Sequence, residues 1–413
     1  MKILIVNTSD IEGGAARAAY RLHKALRSQG VDSQMLVQNK SSDDYTVIVE
    51  TDKVKKTLNK FRPFFDSIPV RFYKNRTKTL FSSSWLPFSN IVNKINEINP
   101  DIVHLHWVCD GMLKIEDLKK IKKPIVWTLH DTWALTGGCH YNGDCYKYKR
   151  MCGACPVLSS NKEYDLSRWE WKRKYKTFKE LNNITIVGLS RWITKLSKES
   201  GLLGAKKHIN IPNPIDTNIF KPFDKERAKE LWNLPKDKRL ILFGAVNATS
   251  DIRKGFNILI EALNLLKIDN VEFVVFGSSK PQNPPNFKFK THYVKHLKDD
   301  ISLVTLYNAA DVMIVPSIQE AFGQTASEAM SCGTPIVAFG ATGLLDIVDH
   351  KINGYLAKPY ESKDLAEGIE WVLNLPIHDY DKLCENARRK VVEEFDSKIV
   401  AKKYIDLYKE ILK

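Results

Sequence analysis

No apolar run in the 413 residues approaches the roughly eighteen needed to cross a membrane as a helix. The opening MKILIVNTSD is too short an apolar run for a signal peptide and reads as a first strand, so a cytoplasmic protein is expected. Cysteine is scarce and odd in number, seven in all, which in a long chain argues against a disulfide framework. The dinucleotide fingerprint G-x-G-x-x-G is missing. Acids are outnumbered, 48 against 63 Lys and Arg. An excess of fifteen positive charges suits nucleic acid, an anionic membrane surface or anionic substrates, and composition alone does not choose among them. The length suffices for two α/β domains, each with its own core.

What is present is organised around Asp311 to Lys358. Val312–Val315 and Pro335–Phe339 are short apolar runs that read as buried parallel strands, with one helix between them. The helix entry, Ala321-Phe322-Gly323-Gln324-Thr325, puts a glycine where backbone must approach a ligand and leaves free N–H groups at a helix start, where anions bind. Glu320 stands just before this turn and Glu328 inside the helix. Singly, such glutamates are ordinarily a cap and a solvated face. Together, phosphates on the amides and hydroxyls on two carboxylates describe a sugar nucleotide.

Strand–helix alternation runs through the chain. Lys2–Val6 is followed by Gly13-Gly14 and a helical pattern over Ala15–Leu26. DIVHLHW (101–107) and PIVWTLH (124–130) are further strands. His104 and His106 share one side of theirs and read as a satisfied core pair, whereas His130 ends its strand at the edge where open α/β sheets bind ligands, with Asp131 beside it. INIPNPID (209–216) reads as a linker, after which RLILFGAV restarts the alternation. Arg253-Lys254-Gly255 follows that strand and suits a diphosphate, the arginine giving planar paired bonds and the lysine a point charge.

The assembled pattern E-x7-E, with F-G-x-T inside it and A-M-x-C-G-T-P-I-V-A after it, resembles the donor site of retaining glycosyltransferase family 4. The resemblance implies a GT-B fold, two Rossmann-like domains facing across a cleft. Residues 1–212, completed by the helix 397–413, would take the acceptor; 213–396 would hold a UDP- or GDP-sugar. It implies Glu320 on donor-sugar hydroxyls, Glu328 on the ribose, and Phe322, Gly323, Gln324 and Thr325 around the donor. His130 would lie near the transferred sugar, with Gly13, Gly14, Arg17 and Asp131 on the acceptor side. Family members show R-x5-K-G, and the arginine position here is Ala248, which makes Lys254 the firmer match and leaves it open whether Arg253 replaces the missing arginine or not. The implied reaction moves a sugar to an acceptor hydroxyl with retention, in cell-surface polysaccharide or lipopolysaccharide synthesis. The acceptor would be a lipid-linked or other glycan. No catalytic metal is expected, since the one D-x-D, Asp379-Tyr380-Asp381, opens a late helix and reads as capping.

Two segments lie outside that pattern. Between Lys53 and Lys78, nine Lys or Arg face a single acid, Asp66, interleaved with Phe61, Phe64, Phe65, Phe72 and Tyr73. It reads either as a solvated linker or as a peripheral contact with the inner face of the plasma membrane. TGGCHYNGDCYKYKRMCGACP holds Cys139, Cys145, Cys152 and Cys155, with His140 between. This stretch resembles an insertion in some exopolysaccharide- or colanic-acid-type members. Structural zinc, reduced thiols or a stress-formed disulfide, and an iron–sulfur cluster are all open there. The rival functions are a basic zinc-bearing nucleic-acid-binding protein, which leaves the carboxylate spacing unexplained, and a sugar-nucleotide epimerase or phosphorylase on the same fold. Nucleic acid is not an expected partner.

Overall fold

The computed structural model describes residues 1–244, 249–278, 284–297 and 299–413. The chain divides into two compact units, Met1–Pro212 with Val400–Lys413, and Asn213–Ile399. The first is built on β1 (Lys2–Ser9), β2 (Asp32–Asn39), β3 (Val47–Ile48), β4 (Ile102–Leu105), β5 (Ile125–Leu129), β6 (Ile184–Gly188) and β7 (Lys207–Asn210). All pair parallel, in the order β3-β2-β1-β4-β5-β6-β7. Every residue of β4, β5 and β6 is buried, which is why these strands are mainly apolar on both faces, the polar His104, Thr128 and Thr185 included in the interior. The helix Gly14–Ser28 carries Ala19, Leu22, Ala25 and Leu26 into a core with Ile3 and Ile5. The last helix, Ser397–Ile411, adds Val400, Ala401, Tyr404, Leu407 and Tyr408 to that same core. Its two tyrosines also satisfy polar groups on the strands. Tyr408 Oη lies 2.6 Å from His104 Nδ1, and Tyr404 Oη 3.0 Å from Thr128 Oγ1.

The basic segment forms the helix Lys53–Asp66, and its polarity is inverted. Val54, Leu58, Phe61 and Phe65, spaced to fall on one stripe, are 69, 58, 54 and 44% exposed, while its buried residues are Arg62 and Asp66. The Arg62 guanidinium donates to the carbonyls of Gly111 (2.6 Å), Pro87 (3.1 Å) and Leu86 (3.2 Å). Arg62 is therefore not part of the basic surface that the sequence suggested. Tyr73, counted with the exposed aromatics, instead accepts the Leu166 N–H at 2.9 Å and packs beside the cysteine-rich loop.

The second unit has β8 (Arg239–Gly244), β9 (Val271–Phe276), β10 (Thr291–Val294), β11 (Val312–Val315), β12 (Ile336–Phe339) and β13 (Gly354–Ala357). These pair parallel as β10-β9-β8-β11-β12-β13. Both sheets thus run outward in two directions from a reversal point, β1/β4 in one and β8/β11 in the other. In open α/β sheets such a reversal point is where the loops at the carboxyl ends part and ligands bind. Ala248, the family arginine position, lies outside the described residues. Asp379 sits in the first turn of the helix Ile377–Glu394, which has no side-chain cap. Asp379 of the D-x-D is a first-turn acid favoured by the helix dipole, not the cap that its position suggested.

Candidate active site

Three loops meet at the carboxyl edge of the second sheet. After β8 the chain turns through Asp251–Gly255, where Asp251 accepts the Arg253 N–H at 3.1 Å. Gly255 has φ +69°, and a Cβ there would lie 1.9 Å from the Pro316 carbonyl oxygen, so only glycine lets this loop press on the end of β11. The Ile318 N–H donates to the Arg253 carbonyl at 2.7 Å and ties the same two loops. The result brings Lys254 Nζ to 2.5 Å from Glu320 Oε1, both side chains 18% exposed. Ser317 Oγ adds a bond to that oxygen at 3.0 Å. After β12, Thr342 Oγ1 accepts the Glu320 N–H at 3.1 Å, and the Gly343 N–H donates to the Glu320 carbonyl at 3.0 Å. Burial pushes the Glu320 carboxyl up, but the Lys254 ammonium and the Ser317 hydroxyl outweigh it and hold the group below the usual carboxylate range.

The helix Gln324–Ser331 starts from Gly323, φ +111°, with no side-chain cap. A Cβ at Gly323 would meet Leu344 at 2.8 Å. Thr325 is partly exposed in the first turn. Glu328 is buried, and its two oxygens accept from Tyr307 Oη at 2.9 Å and Gln324 Nε2 at 3.1 Å. Phe322 differs from what the sequence suggested: its ring is buried, edge-on to Phe395 at 5.3 Å, so only its backbone is available to a ligand. The Arg253 guanidinium pairs with Asp251 in its own turn. Ser317, Tyr307 and Thr342 were not legible as site residues, because each acts by holding a glutamate and lies in no local motif.

In the first unit, Gly13 (φ +91°) and Gly14 are exposed where β1 gives way to its helix, and the Arg17 N–H donates to the Gly13 carbonyl at 3.0 Å. His130 ends β5, partly exposed, with Nε2 2.8 Å from His106 Nδ1. The Asp131 carboxylate is engaged by other groups: it accepts from His140 Nδ1 (2.6 Å), the Trp133 N–H (2.8 Å) and Trp107 Nε1 (2.9 Å). It organises the loop. His104 is satisfied at both nitrogens, by Tyr408 and by Thr128 at 2.8 Å, as the core reading expects. His106 departs from it: Nε2 is buried and has no hydrogen-bond partner among the described residues.

Cys139, Cys145, Cys152 and Cys155 line one cavity of about 10 Å³, all four as free thiols. Burial pushes Cys152 up to about 12 and raises Cys139 and Cys155 as well. The Gly137 N–H donates to Cys152 Sγ at 3.2 Å. Among the described residues no group of three or more His, Cys, Asp or Glu is positioned to hold a metal ion. His140 is excluded as a substitute ligand, since its ring nitrogens are engaged by Asp131 and by Ser82 at 2.9 Å.

Two Rossmann-like units, each with its polar loops at the carboxyl edge and at the reversal of strand order, define a protein of the GT-B class. The family model of Glycosyltransferase Family 4 matches residues 12–219, and that of Glycosyl transferases group 1 matches 224–390. The uncharacterized glycosyltransferase MJ1607 of Methanocaldococcus jannaschii is 31% identical over 327 residues, 75% of each chain. Among solved structures, sucrose-phosphate synthase from Thermosynechococcus elongatus aligns with a TM-score of 0.68 at 18% identity, over 100% of this chain and 99% of that one. HepE of Anabaena in complex with UDP-glucose aligns with a TM-score of 0.67 at 17% identity, over 99% and 100%. The chain belongs to glycosyltransferase family 4.

Proposed function

We propose that this glycosyltransferase moves a sugar from a nucleotide-sugar donor to an acceptor hydroxyl with retention at the anomeric carbon. The observation that carries this reading is the Lys254–Glu320 pair, set at the β8/β11 reversal beside the uncapped helix start at Gly323. A diphosphate fits the amides of Gly323–Thr325 and the Lys254 ammonium; the sugar hydroxyls fit Glu320; the ribose fits Glu328. The bond from the anomeric carbon to the diphosphate breaks, that to the acceptor oxygen forms, and the acceptor proton leaves with the diphosphate. Negative charge grows on the leaving group, and the fixed donors around it stabilise the transition state more than the ground state. A neighbour in structure binding UDP-glucose supports a UDP-sugar as the first donor to try. A thermal-shift screen of nucleotide sugars identifies the base, since a ligand at a hundred times its Kd adds about 2.7 kcal/mol. Calorimetry of Glu328→Ala then tests the ribose assignment. Affinity should fall about tenfold or more for intact donor and for free nucleoside diphosphate alike. Unchanged affinity for both discards the ribose role.

The exposed stripe Val54, Leu58, Phe61, Phe65, flanked by Lys53, Lys55, Lys56 and Lys60, supports an acceptor carried on an anionic membrane surface, as in cell-surface polysaccharide or lipopolysaccharide synthesis. Flotation with anionic vesicles at low salt is expected for the intact protein. Lys55→Ser/Lys56→Ser/Lys60→Ser should release it, each lysine contributing about 1 kcal/mol. Arg62 is left intact in that variant, because its removal would strand the carbonyls it holds. Wild-type protein that stays at the bottom of the gradient refutes the membrane contact.

We further propose structural zinc on Cys139, Cys145, Cys152 and Cys155. Their convergence on one cavity and the amide donated to Cys152 support it, and the side chains must turn onto a common point when an ion enters. Protein purified without a metal-affinity step should hold about one zinc equivalent, lost in Cys152→Ser/Cys155→Ser. Below about a tenth of an equivalent the proposal fails.

A further inference from the structure

We infer that His106 is a positioning residue that fixes His130 in the tautomer carrying its proton on Nδ1, so that His130 acts toward a ligand as a hydrogen-bond donor. The significance of that donor for catalysis rests on the reading that His130 faces the transferred sugar; the tautomer itself does not.

The two rings meet through His106 Nδ1 and His130 Nε2 at 2.8 Å, and that contact holds one proton between two neutral imidazoles. Neutrality follows from burial, which lowers His130 to about 4 and His106 well below the usual histidine range. Two arrangements are available. If His130 Nε2 donates, the His106 proton must sit on its own Nε2, where no described residue offers an acceptor. If His106 Nδ1 donates, its Nε2 is a bare lone pair, and the His130 proton sits on Nδ1. A buried N–H without an acceptor is rarer in proteins than an under-satisfied acceptor. The second arrangement is therefore favoured.

The surroundings remove the escape routes. The His106 ring lies between His104, centroids 4.3 Å apart, and His130, 5.1 Å apart, so it cannot swing to another partner without breaking both contacts. Its carbonyl accepts Trp127 Nε1 at 3.0 Å, which fixes the backbone. A neighbouring cavity of about 10 Å³ is lined by His106, Thr128, His130 and Asp131. That is at the lower bound for one water, which needs two to four polar partners. Thr128 Oγ1 is already shared by His104 and Tyr404, and Asp131 by three donors. His130 Nε2 is thus engaged, and Nδ1 is the nitrogen left for a ligand. A ring so arranged can give a hydrogen bond to a sugar or phosphate oxygen and cannot take a proton through Nδ1.

The direct test is nitrogen NMR of the full chain labelled with 15N-histidine, with ring signals assigned by their loss in His106→Asn and His130→Gln. The expected result is a protonated Nδ1 and a bare Nε2 on His130. In His106→Asn, whose amide can replace the Nδ1–H donor, the His130 pattern should persist. In His106→Phe it should change to the other tautomer or a mixture, with kcat down about tenfold or more and KM little changed, short of the roughly 10⁴-fold that a wrong tautomer costs a general base. A protonated Nε2 on His130 in the wild type overturns the inference. So does a His130 pattern indifferent to His106→Phe in a variant whose circular dichroism is native. His130→Gln with full activity would instead remove His130 from the proposed reaction, leaving the nitrogen signals to decide the tautomer.

Discussion

Lys254→Ala should lower kcat/KM by two to three orders of magnitude, the loss of about 3 to 4 kcal/mol typical when one fixed donor to a developing anion is removed. The lysine is not a free surface cation: it is 18% exposed and held on Glu320 by the contact that Gly255 makes possible. Its removal also leaves Glu320 partly buried without the ammonium that holds its carboxyl down, so the carboxyl rises and activity should fall off toward acid pH in the variant at a higher pH than in the wild type. Arg253→Ala should cost far less, since its guanidinium pairs with Asp251 in its own turn. Because Lys254 and Glu320 act on each other, the double variant should lose much less than the sum of the single losses. Steady-state rates of the wild type, Lys254→Ala, Arg253→Ala, Glu320→Ala and Lys254→Ala/Glu320→Ala decide it. Near wild-type rates for Lys254→Ala take the β8 loop out of the mechanism.

Mild acid should unfold the first unit before the second. His23 is buried between Ser33 Oγ (2.9 Å) and Thr46 Oγ1 (2.7 Å), and burial lowers it to about 4; burial lowers His104 to about 3. His106 and His130 are lowered as well. In the unfolded chain each takes a proton near 6.5, so the unfolded state binds more protons below that pH. Stability is therefore present above about 6.5 and lost as pH falls toward 4, by about 1.4 kcal/mol per pH unit for each such group. Asp66 and Glu170 act the other way. Burial raises them to about 6 and about 7, so their contribution is full below the ordinary carboxylate range and is lost as pH rises through those values. Burial also lowers His208 and raises Asp110, so five histidines stand against three acids, and the balance is a loss of a few kcal/mol by pH 5, a large part of ordinary domain stability. Limited proteolysis across pH 7 to 4, with the cuts mapped by mass spectrometry, should place the first cleavages within 1–212. His23→Asn should move the midpoint to lower pH. Cleavage that starts in 213–399, or a midpoint indifferent to His23→Asn, contradicts the account.

Much of the fold was legible because parallel strands buried on both faces are short apolar runs with helical periodicity between them. Val312–Val315 and the helix after Gly323 could be read to within a residue or two for that reason. The glutamates of the donor-side loops were legible because their spacing repeats a family pattern. What holds them was not. Tyr307 reaches Glu328 across 21 residues, and Thr342 reaches the Glu320 amide across 22. The inverted helix was half legible: its basic and aromatic content showed, but Arg62 could not be told from its neighbours until Leu86, Pro87 and Gly111 turned their carbonyls on it. His106 looked like His104 in an alternating strand. The difference is Tyr408, 304 residues away from His104, which satisfies the one ring and leaves the other to His130.

The helix Ser397–Ile411 has a consequence for how the protein is made. Tyr404 and Tyr408 fill the core of a sheet whose last strand ends at Asn210, about halfway along the chain. At about 5–20 residues per second, the remaining half takes of the order of ten seconds or more to follow. Through that interval Ile3, Ile5, Val126 and Val187 face a gap, and the polar groups of His104 and Thr128 wait for hydroxyls not yet synthesised. The nascent first unit is thus an open-cored species that a chaperone can hold. A stop codon between residues 211 and 404 would leave every strand of that sheet intact and still deny it a closed core.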